Sequence, residues 1–373
     1  MVESDIALCE RQALNILYDH QIFQTQRIGG VSRYFFELIT RVARTPGVSA
    51  AVFEGFHTSR SGLENARSDF QSFFGVRRPE IPKTGRVFST VNRLLFQRFA
   101  SKSHADIYHP TYYDDPYPGF RRRRVLTVYD MIHELFPDNF PRDSTAEHKR
   151  LAVRKADRII AISEATKRDL IRILGTPSEK IQVVHLANSL RSSPGQRILS
   201  LAPYFLFVGS RAGYKNFGLA LEAFARSSLK QDFQFACFGG PPFSAKEQER
   251  IHSLGLQKHV GYFSGSDEVL AGLYQHATIF IYPSLYEGFG LPVLEAMHYG
   301  CPVICANTSS LPEIAGDAAR FFDPRSVESL TDAIEEVAYS AERRSTLAQA
   351  GRAQEAKFSW DRCARETVAT YQT

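Results

Sequence analysis

The chain has 373 residues, of which 43% are hydrophobic and 23% charged, with a net charge of +5. That composition is globular and long enough for two ordinary domains. No apolar run approaches the ~20 residues of a membrane span, and the modest charge comes without a recognisable nucleic-acid module, so nucleic acid is not an expected partner.

Residues 1–13 read as a variable lead-in, with acids where a signal peptide carries bases, so a cytoplasmic location is expected. Asn15 to Tyr18 begin the first strand. Gln21 to Gly30 read as a loop that ends in Gly29-Gly30, just before a helix over Ser32–Arg44. Tyr34, Phe35, Leu38, Ile39 and Val42 give that helix a buried stripe. Residues 57–100 have no clean period and read as loops with a helix, Phe88–Ala100. A short strand, Ile107–His109, leads into an aromatic loop, four arginines (Arg121–Arg124) and a strand, Val125–Val128. The arginines suit either a solvated turn or contact with an anionic lipid or a diphosphate-linked acceptor. Arg158–Ile162 is a further strand, Ser163 a good N-cap for the helix Glu164–Leu174, and Ile181–His185 another strand. The Ser-, Gly- and Pro-bearing stretch 188–203 reads as a linker.

The second half alternates again: strands at Tyr204–Val208, Phe233–Phe238, His259–Phe263, Ala277–Tyr282 and Pro302–Ala306, with helices at Phe217–Ala225, Phe243–Gly255 and Ser326–Tyr339 and a helical tract from Arg343. Such alternation implies parallel sheets. The expected organisation is a first domain over 1–190, a linker over 191–203, a second domain over 204–352 and a tail, 353–373, returning to the first. Cys9, Cys237, Cys301, Cys305 and Cys363 are scattered and odd in number, which suits reduced thiols. Cys301 and Cys305 lie in strand-like sequence with no second ligand pair, so no metal site is expected.

The most informative stretch is 284–297, SLYEGFGLPVLEAM. It links a buried strand to a helix through a loop bearing Gly288 and Gly290, where backbone can approach a ligand closely. The helix start offers unpaired N–H groups and a positive end to an anion. Two acids bracket the loop, Glu287 and Glu295. Carboxylates suit hydroxyls rather than bare phosphate, so a ligand with both sugar and phosphate groups fits the pattern. Arg211 and Lys215 flank Gly213 at another strand–helix turn, and either form an anion clamp or are ordinary surface charge. Asn216 stands where it could cap the next helix.

The E-x7-E spacing of Glu287 and Glu295 resembles the retaining, family 4 glycosyltransferases of the two-Rossmann-domain (GT-B) architecture. ILYDHQIF…GGVSRYFFEL, VYDMIHELFP, ADRIIAISEATKRDL, FVGSRAGYKNF and NTSSLPEIAGDAARFFDP resemble further segments of that family, in its order. The resemblance implies an α/β fold of two Rossmann-like parallel-sheet domains and transfer of a hexose from a nucleotide-diphosphate sugar, without a metal or other cofactor. The closest flavour is mannosyl or rhamnosyl transfer from a GDP-sugar to a glycan or polyprenyl-diphosphate-linked acceptor in surface polysaccharide synthesis. Peripheral contact with the inner membrane would follow. It implies that Arg211 and Lys215, with Gly29 and Gly30, hold the donor diphosphate. Glu287 would face the sugar and Glu295 the ribose, while Phe289, Gly290 and Leu291 offer backbone N–H groups. The base would lie against Tyr262 to Asp267, with Tyr262, Phe263 and Asp267 as its candidate partners. Retention is drawn as front-face attack, so Glu287 is not assumed to be a covalent nucleophile. The chain departs from the pattern at Tyr129-Asp130, where many members carry His-Asp. Tyr129, Asp130 and His133 are the catalytic candidates beside Glu287, with His109 a further imidazole that could contact the sugar. Alternatives are an epimerase or phosphorylase of the same architecture, or a non-catalytic sugar-binding protein.

Overall fold

A computed structural model describes residues 13–27, 29–82, 84–191, 193, 203–211 and 213–373. The lead-in before residue 13, with Cys9, and most of the expected linker lie outside them. In chain order the first elements are β1 (Leu14–Tyr18), α1 (Gln21–Thr25), α2 (Gly30–Ala43), β2 (Val48–His57), β3 (Ser72–Arg77), α3 (Gly85–Lys102), β4 (Ile107–His109), β5 (Arg123–Val128), α4 (Ile132–Leu135), α5 (Thr145–Lys155), β6 (Arg158–Ala161), α6 (Glu164–Leu174) and β7 (Ile181–Val183). They form a seven-stranded sheet of order β3-β2-β1-β4-β5-β6-β7.

The later elements are β8 (Tyr204–Val208), α7 (Phe217–Arg226), β9 (Gln234–Phe238), α8 (Ala245–Ser253), β10 (Val260–Phe263), α9 (Asp267–His276), β11 (Ile279–Tyr282), α10 (Leu291–His298), β12 (Val303–Ala306), α11 (Leu311–Ala315), β13 (Ala319–Phe322), α12 (Val327–Ala338), α13 (Ala341–Glu355) and α14 (Trp360–Gln372). Their six-stranded sheet has the order β10-β9-β8-β11-β12-β13. Strand pairs in both sheets run parallel. Every residue of β8, β11 and β12 is buried. Their unbroken apolar runs are what a parallel sheet covered on both faces requires. The chain thus has the two Rossmann-like parallel sheets anticipated from sequence.

Compactness divides the chain differently from a boundary at residue 190. One unit holds residues up to Thr127, 147–160 and 364–373; the other holds 128–146 and 161–363. The segments after β5 and β6 join the second unit because their loops carry Tyr129, Asp130 and Ser163, which pack within it on Gly288, as described below.

Three sequence expectations change. The loop over Gln21–Gly30 begins with a helix, α1, because the buried Asp19 carboxylate accepts the Gln21 N–H at 3.2 Å and turns the chain. The same carboxylate accepts from Thr111 N at 3.0 Å, Thr111 Oγ1 at 2.6 Å and Tyr108 Oη at 2.5 Å. The stretch 57–100 contains an unforeseen strand, β3, at the sheet edge; its residues are half-buried or exposed, which blurs any period. β13 was likewise hidden behind Gly316-Asp317-Ala318.

The arginine run is mostly consumed inside the first unit. Arg122 meets Asp106 Oδ1 at 2.6 Å, Arg123 donates to the Tyr371 carbonyl at 3.0 Å, and Arg124 meets Asp115 Oδ1 at 2.9 Å and the Tyr117 carbonyl at 2.8 Å.

His109 has a structural environment. Its Nδ1 lies 2.6 Å from Tyr371 Oη, its Nε2 2.8 Å from Thr127 Oγ1, and no part of it reaches solvent. Tyr371 Oη also lies 2.8 Å from Tyr18 Oη. With both nitrogens engaged and the ring enclosed, His109 is removed from the candidates for sugar contact. Burial holds its pKa at about 3, against 6.5 for an ordinary imidazole. The unfolded chain therefore takes up a proton that the folded chain refuses. This contribution to stability is complete above pH 6.5 and drains away as pH falls toward 3, with a slope approaching about 1.4 kcal/mol per unit. Urea unfolding at pH 7.5, 6 and 5 is expected to show a smaller loss in His109→Gln than in the wild type; an equal loss would place the titration elsewhere.

Candidate active site

The second sheet changes direction between β8 and β11: β9 and β10 lie to one side, β12 and β13 to the other. Ligands in open parallel sheets gather at the carboxyl ends of strands at such a point. The loops leaving β8, β11 and β12 meet there. Leu285 N donates to the Tyr214 carbonyl at 2.8 Å, joining the β11 loop to the β8 loop. Asn216, with φ of 57°, turns the β8 loop into α7. Its side chain does not cap that helix as expected; Nδ2 instead donates to Pro283 O at 3.2 Å and Pro324 O at 2.8 Å.

Lys215 and Glu287 are brought together. Lys215 Nζ lies 2.7 Å from Glu287 Oε1 and 3.4 Å from Tyr282 Oη, with 14% and 9% of the two charged side chains exposed. Burial opposes the charge on Lys215, but Glu287, Tyr282 and Tyr214 outweigh it and raise its pKa, so it stays an ammonium. Burial, with Glu287 adjacent, pushes the Tyr282 hydroxyl well up, keeping it protonated.

The β12 loop fixes the backbone around Glu287. Ser309, held at φ of 52°, accepts the Glu287 N–H at 2.9 Å, while the buried Ser310 hydroxyl bonds the carbonyls of Glu287 at 2.9 Å and Phe289 at 2.8 Å. A non-glycine residue at positive φ is uncommon and marks a backbone held by its surroundings. Gly290, at φ of 109°, then opens α10, whose second residue is Pro292. At this start Pro292 has no N–H and the Val293 N–H goes to the Gly290 carbonyl at 2.9 Å, which leaves the Leu291 N–H without a helical acceptor.

Gly288 sits where a Cβ would run into the Tyr129 carbonyl oxygen and come within 2.9 Å of Asp130 Cβ. Its own carbonyl accepts from Ser163 Oγ at 2.7 Å and Thr166 Oγ1 at 3.3 Å. Ser163 also caps α6 through the Thr166 N–H, as expected. Tyr286 Oη accepts the Met131 N–H at 3.3 Å and donates to Asp169 Oδ2 at 2.9 Å. Tyr129-Asp130 is thus locked against the glycine loop. His133 stacks on Phe140 with ring centres 4.3 Å apart, and its Nε2 lies 3.6 Å from Asp143 Oδ2.

The remaining candidates separate. Arg211 is 2% exposed at its side chain and does not reach Glu287; Nε meets Glu247 Oε1 at 2.7 Å, Nη1 donates to Gly239 O at 3.0 Å and Nη2 to Pro241 O. Glu295 accepts from Tyr274 Oη at 3.0 Å on the second turn of α10. Tyr262 and Phe263 end the edge strand β10, where Tyr262 Oη donates to Gly240 O at 2.9 Å; Asp267 opens α9 after its N-cap, Ser266. Gly29 and Gly30 start α2 in the first unit, where Gln26 Oε1 accepts the Ser32 N–H at 2.9 Å. Cys301 and Cys305 are free, buried thiols pushed up by burial. Among the described residues no three His, Cys, Asp or Glu side chains are grouped to hold a metal ion.

Sequence reasoning passed over Ser309, Ser310 and Tyr286. The run Asn307-Thr308-Ser309-Ser310 directly after a buried strand was the available signal.

Comparison with known proteins agrees with this architecture. The Glycosyltransferase Family 4 model matches residues 28–187 and the Glycosyl transferases group 1 model residues 194–354. Sucrose-phosphate synthase from Thermosynechococcus elongatus superposes with a TM-score of 0.75 at 19% identity, covering 96% of this chain and 98% of that one. Anabaena Alr3699/HepE, solved with UDP and glucose, superposes with a TM-score of 0.74 at 16% identity, covering 96% and 99%. The fold is therefore GT-B. O-antigen chain mannosyltransferase B of Escherichia coli is 29% identical over 382 residues, spanning 94% of this chain and 98% of that relative. The chain belongs to the group 1, family 4 glycosyltransferases and is a hexosyltransferase.

Gly288→Ala is expected to force the loops of Tyr129 and Glu287 apart, costing about 1–3 kcal/mol as overpacking does, and to reduce sugar transfer more than Gly85→Ala, where the added methyl meets open space and φ is not positive. Denaturant titration and initial rates measure the two effects.

Proposed function

We propose that the protein is a retaining, metal-independent glycosyltransferase that moves a mannose-type hexose from a GDP-sugar to a glycan or polyprenyl-diphosphate-linked acceptor in surface polysaccharide synthesis. The observation that carries this reading is the buried Lys215–Glu287 pair beside the start of α10. An ammonium and the positive end of a helix suit a departing diphosphate, and the carboxylate suits sugar hydroxyls.

Lys215 has three N–H donors and spends two on Glu287 and Tyr282. The third is assigned to a phosphate oxygen of the donor. Glu287 keeps acceptor capacity beyond its bond to Lys215 and is assigned to donor-sugar hydroxyls. A carboxylate so paired is a weak nucleophile. The reaction is accordingly front-face: the bond from the anomeric carbon to phosphate oxygen breaks, the acceptor oxygen bonds to that carbon on the same side, and the acceptor proton passes to the leaving phosphate. Arg211 supports this site through the loops after β9, holding Gly239 and Pro241, and meets phosphate only by releasing them. Glu295 is assigned to ribose, Tyr262, Phe263 and Asp267 to the base, and Asp130 with His133 to the acceptor side of the sugar. The mannosyl choice rests on the O-antigen mannosyltransferase relative, and the guanosine carrier on mannose being activated as its GDP derivative. A membrane-borne acceptor would place the enzyme at the cytoplasmic face of the membrane.

Lys215→Ala is expected to lower kcat/KM by roughly 10²–10³-fold. Glu287→Ala is expected to abolish transfer; Glu287→Gln, which keeps an acceptor for Lys215 but removes its counter-charge, should also lose activity while lowering the melting temperature less than the alanine does. Wild-type turnover in the alanine variants would refute the assignment. GDP is expected to raise the melting temperature above any shift from UDP, ADP or dTDP, and transfer is expected to persist in EDTA. A shift with UDP alone would reassign the base.

A further inference from the structure

The described residues include seven large apolar side chains that are notably exposed, and four of them fall within one short stretch: Val76 at 43%, Ile81 at 53%, Val87 at 63% and Leu94 at 63%. Val76 is the next-to-last residue of the edge strand β3 and Ile81 lies in the turn to α3. At 100° per residue, Arg86, Val87, Thr90, Arg93, Leu94, Arg98 and Ser101 share one face of α3, and all are exposed. The opposite face buries Asn92, Phe96 and Ala100 against the first sheet. Asn92 anchors it, accepting the Phe56 N–H at 2.8 Å and donating to the Phe56 carbonyl at 3.1 Å. The Arg78 guanidinium lies 4.2 Å over the Phe88 ring and ties the strand end to the helix start, so the two exposed pieces form one patch.

The charges on this patch are nearly all of one sign. Arg77, Arg86, Arg93 and Arg98 are exposed, and none has an acidic partner among the described residues. Glu80 is the single acid of the sequence from Val76 to Lys102. Some exposed arginines of the first unit do meet acids, as Arg44 does with Asp69 at 2.8 Å and Arg122 with Asp106 at 2.6 Å; what marks this patch is that its arginines stand beside exposed apolar side chains. Isolated exposed apolar residues need no explanation, but a cluster interleaved with unpaired arginines does. A helix lying in a lipid interface carries this combination: apolar side chains enter the acyl boundary while guanidinium groups stay among anionic headgroups.

We propose that the end of β3 and the outer face of α3 dock this enzyme on an anionic bilayer surface. The face at work is Arg77, Arg86, Val87, Arg93, Leu94 and Arg98, not the run Arg121–Arg124, most of which is committed to internal bonds. Charge attraction supplies the bulk of the affinity, with Val87 and Leu94 adding a shallow insertion. The proposal builds on the reading of the acceptor as membrane-borne, but its evidence is this surface alone.

Flotation of the full chain with vesicles of equal phosphatidylglycerol and phosphatidylcholine, and with pure phosphatidylcholine, tests it without any donor present. The wild type is expected to float with the anionic vesicles only and to be released by high salt. Changing Arg77, Arg86, Arg93 and Arg98 together to Gln is expected to lower partitioning by two orders of magnitude or more, at roughly a factor of five for each charge. Arg121→Gln with Arg122→Gln should lower it by much less. Leu94→Trp, followed against Trp360, should gain a blue-shifted emission on anionic vesicles only. Equal binding by the quadruple variant, equal binding to neutral vesicles, or no binding by the wild type overturns the proposal. Transfer to a water-soluble acceptor, measured on the same preparations, separates the two readings. Flotation without transfer sinks the reaction and supports the surface; transfer without flotation does the reverse.

Discussion

The constraint on which the site depends is a carboxylate and an ammonium buried together at the point where a parallel sheet reverses its winding. Burying one ion alone there would cost several kcal/mol. Paired at 2.7 Å, Glu287 offsets the burial of the Lys215 ammonium. The surrounding loops are built to keep them so. Ser309 and Ser310 take up the backbone groups on either side of Glu287, and Leu285 is stitched to Tyr214, next to Lys215. A preorganised charge of this kind has no solvent to rearrange when a leaving group develops its own charge.

Backbone proximity matters as much as charge. The Tyr129 carbonyl and the Gly288 Cα share a space that admits no side chain, and the Gly288 carbonyl is held by two hydroxyls from the start of α6. The family's usual His-Asp pair is Tyr129-Asp130 here, and what its first residue contributes at this point is main chain. The Tyr for His change therefore disturbs the packing of the glycine loop little. Arg211 is a second case of a role differing from the obvious one: a guanidinium with three protein partners is a brace for the loops after β9.

Much of this was legible beforehand where physics left a local mark. The buried strand Tyr204–Val208 is a continuous apolar run, and both it and the shorter Ile107–His109 were read to the residue. Ser163 followed by Glu164 and a striped helix could hardly be anything but a cap. β3 and β13 escaped because an edge strand with one wet face, or four residues after a glycine turn, has no period to detect. The placement of His109 could not be foreseen, since its partner Tyr371 is 262 positions away. The same holds for Arg122–Arg124, whose acceptors are set by tertiary packing. Ser309 was hidden because positive φ is a property of the backbone and leaves no signature in a serine.

The bond between Tyr18 and Tyr371 bridges 353 positions, the first strand and the last helix. During synthesis, β1 and β4 leave the ribosome long before the hydroxyl that His109 and Tyr18 share has been made. The first unit therefore spends most of translation with a polar gap in an otherwise apolar interior, and closes it only after the whole second unit has emerged. Such late, distant closure carries the entropy of a long loop. Stalled or prematurely released chains would carry a finished nucleotide-type lobe attached to an unfinished one.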